Sequence, residues 1–312
     1  MSAAPAIRLE EVSKWYGQVL GLSGVNMTIE RGVIGLLGPN GAGKSTMMRL
    51  LCGLARPSRG RVLVYGEDVV ASSEVRRRLG YCPEHEGLYD ELTASEFVAY
   101  MAELSGMGKR EARHRSREIL VSLGLENALD RRLAGFSKGM RQRAKLAQAM
   151  VHDPDMLVLD EPLTGCDPVA RNSILSRLRA LAAAGKVILV SSHVLHEIEA
   201  ITQEIVLLYR GQVLAEGNVY RIRELIDKHP HRVRVECDRP RELARHLITA
   251  PHVVRAELAG SAVELETRAP DELYDAIPKA VLELGIRIES LSSPDNNMQS
   301  VFEYLTAAGG KA

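Results

Sequence analysis

Residues 38–45 read Gly-Pro-Asn-Gly-Ala-Gly-Lys-Ser, between an apolar run, Val33 to Leu37, and a stretch with helical spacing. Few chain geometries use such a segment. A buried strand that passes through a glycine-rich turn straight into a helix predicts an open α/β sheet whose strand ends face an anion. Gly38, Pro39, Asn40, Gly41, Ala42 and Gly43 would wrap the phosphates, the glycines letting successive backbone amides turn inward around the oxygens, and the following helix would present its positive end to the same group. Lys44 is then placed for the β and γ phosphates, Ser45 for a divalent cation, and Thr46, next along the helix, for the nucleotide. A glycine turn with no ligand needs neither the strand before it nor the helix after it.

From Ile7 to about Gly217 short β-branched runs alternate with longer helical segments, as in a largely parallel sheet covered by helices. Strands are predicted at Val33 to Leu37, Arg61 to Tyr65, Met156 to Asp160, Val187 to Ser191 and Ile205 to Tyr209. Between them, residues 88–152 have mostly helical spacing, broken at Gly106, Gly108 and Gly124, and read as a helical insertion. After Gly217 a charged helix is expected over residues 220–228. A second pattern then runs strand (His231 to Glu236), helix (Pro240 to Ile248), strand (Val253 to Leu258), strand (Ala262 to Thr267), helix (Asp271 to Leu284), strand (Ile286 to Ser290), with a closing helix from Met298 to Ala307. That βαββαβ order is the split βαβ, or ferredoxin-like, arrangement. The expected domains are 1–220 and 221–312.

Met156-Leu157-Val158-Leu159-Asp160-Glu161 is an apolar strand ending in two carboxylates. Alone it is commonplace. Beside a phosphate loop it delivers charge to the edge of the sheet where the ligand binds, Asp160 suited to a cation through water and Glu161 to polarising an attacking water. Gly135-Phe136-Ser137-Lys138-Gly139, with Asp167 and His193 following, also fits the nucleophile elbow of α/β-hydrolases. The elbow needs an apolar strand directly before its serine, and Ala128 to Ala134 contains Asp130, Arg131 and Arg132.

Phe136 to Met140, shortly before the Asp-Glu strand, and Ser192-His193 after the Val187 strand resemble the signature motif and switch histidine of ABC ATPases. The resemblance covers roughly Ala6 to Gly217. It implies a phosphate-loop NTPase core with a helical subdomain at about 88–152, binding ATP and Mg²⁺. It also implies a second cassette, a homodimer by expectation, whose ATP is contacted by Ser137, Lys138, Gly139 and Met140 of this one. Tyr16, or Trp15 beside it, matches the aromatic residue that stacks on adenine; Asp167 matches the D-loop; His193 would read the γ-phosphate. Glu84 falls in the loop that senses the transport domain, where the family usually has Gln, so its carboxylate would either bind Mg²⁺, with Ser45 and Asp160, or repel Glu161. Lys138 and Met140 depart from the consensus Gly and Gln in the manner of single-cassette exporter ATPases. The implied role is an ATP-hydrolysing subunit, peripheral on the cytoplasmic face of the membrane, driving a separate multi-spanning permease, with export of drugs, lipids or polysaccharides the favoured direction. The rival within the family is a soluble ATPase acting on nucleic acid or ribosomes.

Composition agrees with that choice. Lys plus Arg and Asp plus Glu both number 40, giving no net attraction to nucleic acid, and the basic run Arg110 to Arg117 is interleaved with Glu111 and Glu118. No nucleic-acid partner is expected. Cys52, Cys82, Cys166 and Cys237 form no CxxC pair and read as reduced thiols of a cytosolic protein. Nothing approaches the roughly 20 apolar residues that span a bilayer.

Overall fold

The computed structural model describes residues 4–85, 87–220 and 231–293. The helix expected at 220–228, except for Tyr220, and the one expected at 298–307 lie outside them. The chain divides into two compact units, Met1–Asn218 and Val219–Ala312.

The first unit is built on a six-stranded sheet of β3 (Val33–Leu37), β6 (Leu79–Cys82), β7 (Met156–Leu159), β8 (Val187–Ser192), β9 (Glu204–Tyr209) and β10 (Gln212–Asn218), in the order β10-β9-β3-β8-β7-β6. All neighbours are parallel except the β9–β10 hairpin. Every residue of β7 and β8 is buried. That is why these strands are continuous apolar runs rather than alternating ones.

A second, antiparallel sheet was not foreseen. It joins β1 (Ile7–Tyr16), β2 (Val19–Ile29), β4 (Arg59–Val64) and β5 (Glu67–Asp68) in the order β2-β1-β4-β5, so the strand expected at Arg61 to Tyr65 belongs here and not to the parallel sheet. The β1 alternation is broken where Glu11 takes φ 48° and the register slips. Ile7, Leu9, Val25 and Met27 from this sheet join Leu36, Met47, Met48 and Val158 in one core.

Three helices form the insertion: α3 (Ala94–Leu104), α4 (Lys109–Ser122) and α5 (Lys138–Met150), after the short α1 (Lys44–Leu51) and α2 (Ser73–Arg77). α3 starts at a capping box in which Thr93 and Glu96 each satisfy the other's backbone amide. α6 (Pro168–Ala183) and α7 (Leu195–Glu199) complete the unit.

The second unit has β11 (His231–Cys237), α8 (Pro240–Leu247), β12 (Val253–Ala259), β13 (Ala262–Thr267), α9 (Pro270–Leu284) and β14 (Ile288–Ser292). Its four strands lie antiparallel in the order β12-β13-β11-β14 around its own core, which includes Val235, Leu243, Leu265 and Ile277. β14 begins two residues later than expected, because Ile286 instead fills that core after Gly285 closes α9 in the left-handed conformation.

Candidate active site

The carboxyl ends of β3, β7 and β8 are in register, with Leu36 beside Ser191 and Leu159 beside Val190. Three loops therefore start at one edge of the sheet. The first, residues 38–43, runs into α1 through Gly43, whose φ of 108° and whose approach to the backbone forbid a side chain: a Cβ there would stand 2.6 Å from the carbonyl of Gly21. α1 carries no acidic residue in its first turn, so its positive end is uncompensated by the helix itself. Lys44 is buried. Its Nζ donates to the carbonyls of Gly38 at 2.6 Å and Pro39 at 3.4 Å and stands 3.5 Å from Glu161 Oε1.

The second loop leaves β7 with Asp160 and Glu161, 1% and 5% exposed. The Asp160 amide donates to Cys82 O at 2.8 Å, and its Oδ1 accepts from Ser191 Oγ at 2.7 Å. Asp160 Oδ2 is buried without a hydrogen-bond partner among the described residues. A buried carboxylate oxygen left bare is costly unless a cation or its water comes to it. Glu161 sits at φ 48°, its amide donating to Ser191 Oγ at 2.9 Å. Ser191 thus ties the Asp160 carboxylate to the Glu161 backbone. The sequence reading missed this serine, although a hydroxyl at the end of the apolar run Val-Ile-Leu-Val is a signal for it.

The third loop brings His193, half-exposed, with Nδ1 3.0 Å from Glu161 Oε2, where Thr164 Oγ1 also donates at 3.4 Å. Next to it, Ser192 Oγ donates to buried Glu197, which pairs with Arg171 at 2.9 Å. One cluster therefore unites Lys44, Asp160, Glu161 and His193 beside Ser45. Burial pushes the neighbouring Cys82 thiol up to about 12, so it brings no thiolate chemistry to the site.

Tyr16 and Trp15 lie on opposite faces of β1. A Cβ on Gly21 would stand 3.3 Å from Tyr16 Cε2 and 3.1 Å from Thr46 Oγ1, so the Tyr16 ring and the first turn of α1 meet across that glycine. Trp15 instead packs its ring under Arg59. The geometry thus puts Tyr16, and not Trp15, on the side of the phosphate loop.

The signature residues form a separate cluster. Ser137 caps α5, accepting from the Met140 amide, and follows a 3-10 turn at Leu133–Gly135 rather than a strand, so no nucleophile elbow exists. Lys138 is exposed and Met140 half-buried, while Gly139 packs beside Asp167, which caps α6. No hydrogen bond or ion pair among the described residues joins Ser137, Lys138 or Gly139 to Lys44 or its carboxylates. The Glu84 side chain is exposed, and its carbonyl accepts from Lys145. No described helix is long and apolar enough to cross a membrane.

The family model described as ABC transporter matches residues 22–164. Nod factor export ATP-binding protein I of Rhizobium sp. (strain N33) is 37% identical over 86% of this chain and 88% of its own. The daunorubicin/doxorubicin resistance ATP-binding protein DrrA of Streptomyces peucetius is 33% identical over 96% and 92%. Among solved structures, an ATP-binding subunit of an ABC transporter matches with 33% identity and a TM-score of 0.65 over 71% of this chain and 93% of that one. The cassette MJ0796, a dimer in a post-hydrolysis state with ADP and Pi, matches with 25% identity and a TM-score of 0.63, over 68% and 98%.

Proposed function

The chain belongs to the ATP-binding subunits of ABC transporters, and we propose that it hydrolyses ATP at the Lys44–Glu161–His193 cluster to drive a separate membrane-spanning exporter. ATP hydrolysis and an exporter-type system are the activity of this group. The residue roles are inferred from the geometry above. Gly38 to Gly43 wrap the phosphates, Lys44 turns from its own loop carbonyls to the β and γ phosphates, Thr46 and Tyr16 border the nucleotide, and Tyr16 stacks on the base. Glu161 accepts a proton from the water that attacks the γ phosphorus as the bond to the β–γ bridging oxygen breaks. Its carboxylate is held for this by Lys44, Thr164 and His193 rather than left to rotate, while Ser191 holds its backbone amide. His193 then reads the γ-phosphate.

Mg²⁺ fits the residues present: the bare oxygen of Asp160 and the Ser45 hydroxyl would hold it, with Glu84 reaching it from the sensing loop. When bound, it neutralises charge on the phosphates.

The observation that carries the reading is the unpartnered Asp160 oxygen beside a buried lysine and a histidine-held glutamate, at the end of one sheet. The separate signature cluster supports a site completed by a second copy, Ser137 to Met140 facing its ATP and Asp167 lying at the seam. Such a dimer favours the closed state by binding ATP better there, and that difference is what moves the permease. The dimer works on the cytoplasmic face of the membrane. Residues 1–220 form the nucleotide-binding domain. Residues 221–312 form an accessory domain whose strand order, β12-β13-β11-β14, supports the ferredoxin-like reading.

The test is affinity purification of the tagged chain from detergent-solubilised membranes of its source cell, with mass spectrometry of what accompanies it. A multi-spanning protein is expected. Ribosomes or repair factors in its place would overturn the transport role and leave the ATP chemistry standing.

A further inference from the structure

Among the described residues β6 is an edge strand, paired only with β7, so alternate carbonyls along it have no strand there to accept from. On the β7 side, Arg78 O accepts from the Met156 amide and Cys82 O from the Asp160 amide. On the open side, side chains of α5 and of the second residue past its end take the place of a strand. His152 Nε2 lies 3.0 Å from Leu79 O, Gln148 Nε2 donates to Tyr81 O at 2.7 Å, and Lys145 Nζ donates to Pro83 O at 3.0 Å and Glu84 O at 2.8 Å. Steps of three and four along one helix face meet steps of two along the strand. The helix that begins at the signature serine is thereby fastened to the strand from which the sensing loop emerges.

Edge capping explains a donor at position 145 but not a charge. Gln148 does the same task with a neutral amide. Lys145 is 4% exposed, its partners are neutral carbonyls, and among the described residues no carboxylate stands within ion-pair distance of it. A buried ammonium calls for a counter-charge. The loop residue whose carbonyl it already holds carries one, Glu84, where the resembling family has a neutral Gln.

We propose that Lys145 is the positioning residue for Glu84: it anchors the base of the sensing loop on the signature helix, and its charge balances the Glu84 carboxylate when that side chain turns inward toward Asp160 and Glu161. The two residues form a matched pair. What the loop accomplishes rests on the phosphoryl-transfer reading; the anchoring does not.

A double-mutant cycle on the full chain tests it, with Lys145→Met, Glu84→Gln, the double variant, Lys145→Arg, and Glu161→Gln as the hydrolysis control. Amide hydrogen exchange without nucleotide, affinity for a fluorescent ATP analogue, and kcat are measured on each. For Lys145→Met, exchange should rise about 10-fold at Glu84 and His85 alone, while the rest of the unit keeps its protection. Analogue affinity should stay within about 2-fold and kcat should fall about 10-fold or more, as a misplaced group costs. Lys145→Arg should restore both, and in the Glu84→Gln background Lys145→Met should change kcat less than about 3-fold. Equal losses in both backgrounds, unchanged exchange at Glu84, or a uniform rise in exchange across the unit would each overturn the proposal. Wild type and Glu161→Gln equally inactive would count against the hydrolysis reading instead, with the exchange pattern still deciding the anchor.

Discussion

Replacing Gly80 with alanine should drive α5 off the sheet edge. A Cβ at that position would stand 2.0 Å from the Ala149 carbonyl, 2.8 Å from Leu157 Cδ2 and 2.9 Å from Pro154 Cγ. The first of these is helix backbone and cannot rotate aside, so α5 must retreat by about 1.5 Å to reach an ordinary contact distance. Hydrogen bonds of 2.7–3.0 Å from Lys145, Gln148 and His152 to the edge carbonyls would then stretch past bonding range. Overpacking costs about 1–3 kcal/mol, and the loss of three side-chain anchors adds about 1 kcal/mol each, for a total of about 4–6 kcal/mol. In a unit the size of residues 1–218, each kcal/mol moves Tm by about 2–4 °C, so a drop of roughly 8–24 °C is expected in scanning calorimetry. A Tm within about 2 °C of wild type would refute the reasoning, because it would mean that helix and strand separate freely.

Lys44→Ala should weaken nucleotide affinity itself, read by equilibrium binding of a fluorescent ATP analogue; unchanged affinity would remove the lysine from phosphate binding. Asp160→Asn should raise the Mg²⁺ concentration needed for half-maximal hydrolysis by about 10-fold or more, in line with the loss of a charge near a metal. An unshifted Mg²⁺ titration would assign the bare Asp160 oxygen elsewhere. Thr93→Ala removes one half of the α3 capping box and should cost about 1 kcal/mol in denaturant unfolding, with no change in analogue affinity.

The site was legible in the sequence where chemistry and backbone geometry demand the same residues. Glycines before Lys44 suit both the turn and the proposed phosphate binding, and Asp160 and Glu161 end a strand too apolar to be anything but central. The β1–β2 hairpin was not legible. β1 breaks its alternation at the Glu11 bulge, and β2 carries two glycines, a serine and an asparagine, so neither has the apolar density that marked β7 and β8. Tyr16 could not be separated from Trp15 by sequence, because only strand alternation and the packing across Gly21 settle which ring faces α1. Ser191 and Lys145 were missed for a shared reason. Each acts on residues far away in the chain, Ser191 on Asp160 and Glu161, and Lys145 on Pro83 and Glu84.

The central claim is that Glu161 activates water in a site that binds ATP without it. The direct measurement is steady-state ATP turnover of Glu161→Gln beside its affinity for an ATP analogue and its mass in ATP by light scattering. Turnover should fall about 10²- to 10⁴-fold, as loss of a general base does. Affinity should hold, since Lys44, 3.5 Å from Glu161, is freed for phosphate and not lost, and a dimer should persist in ATP. Turnover equal to wild type would contradict the account.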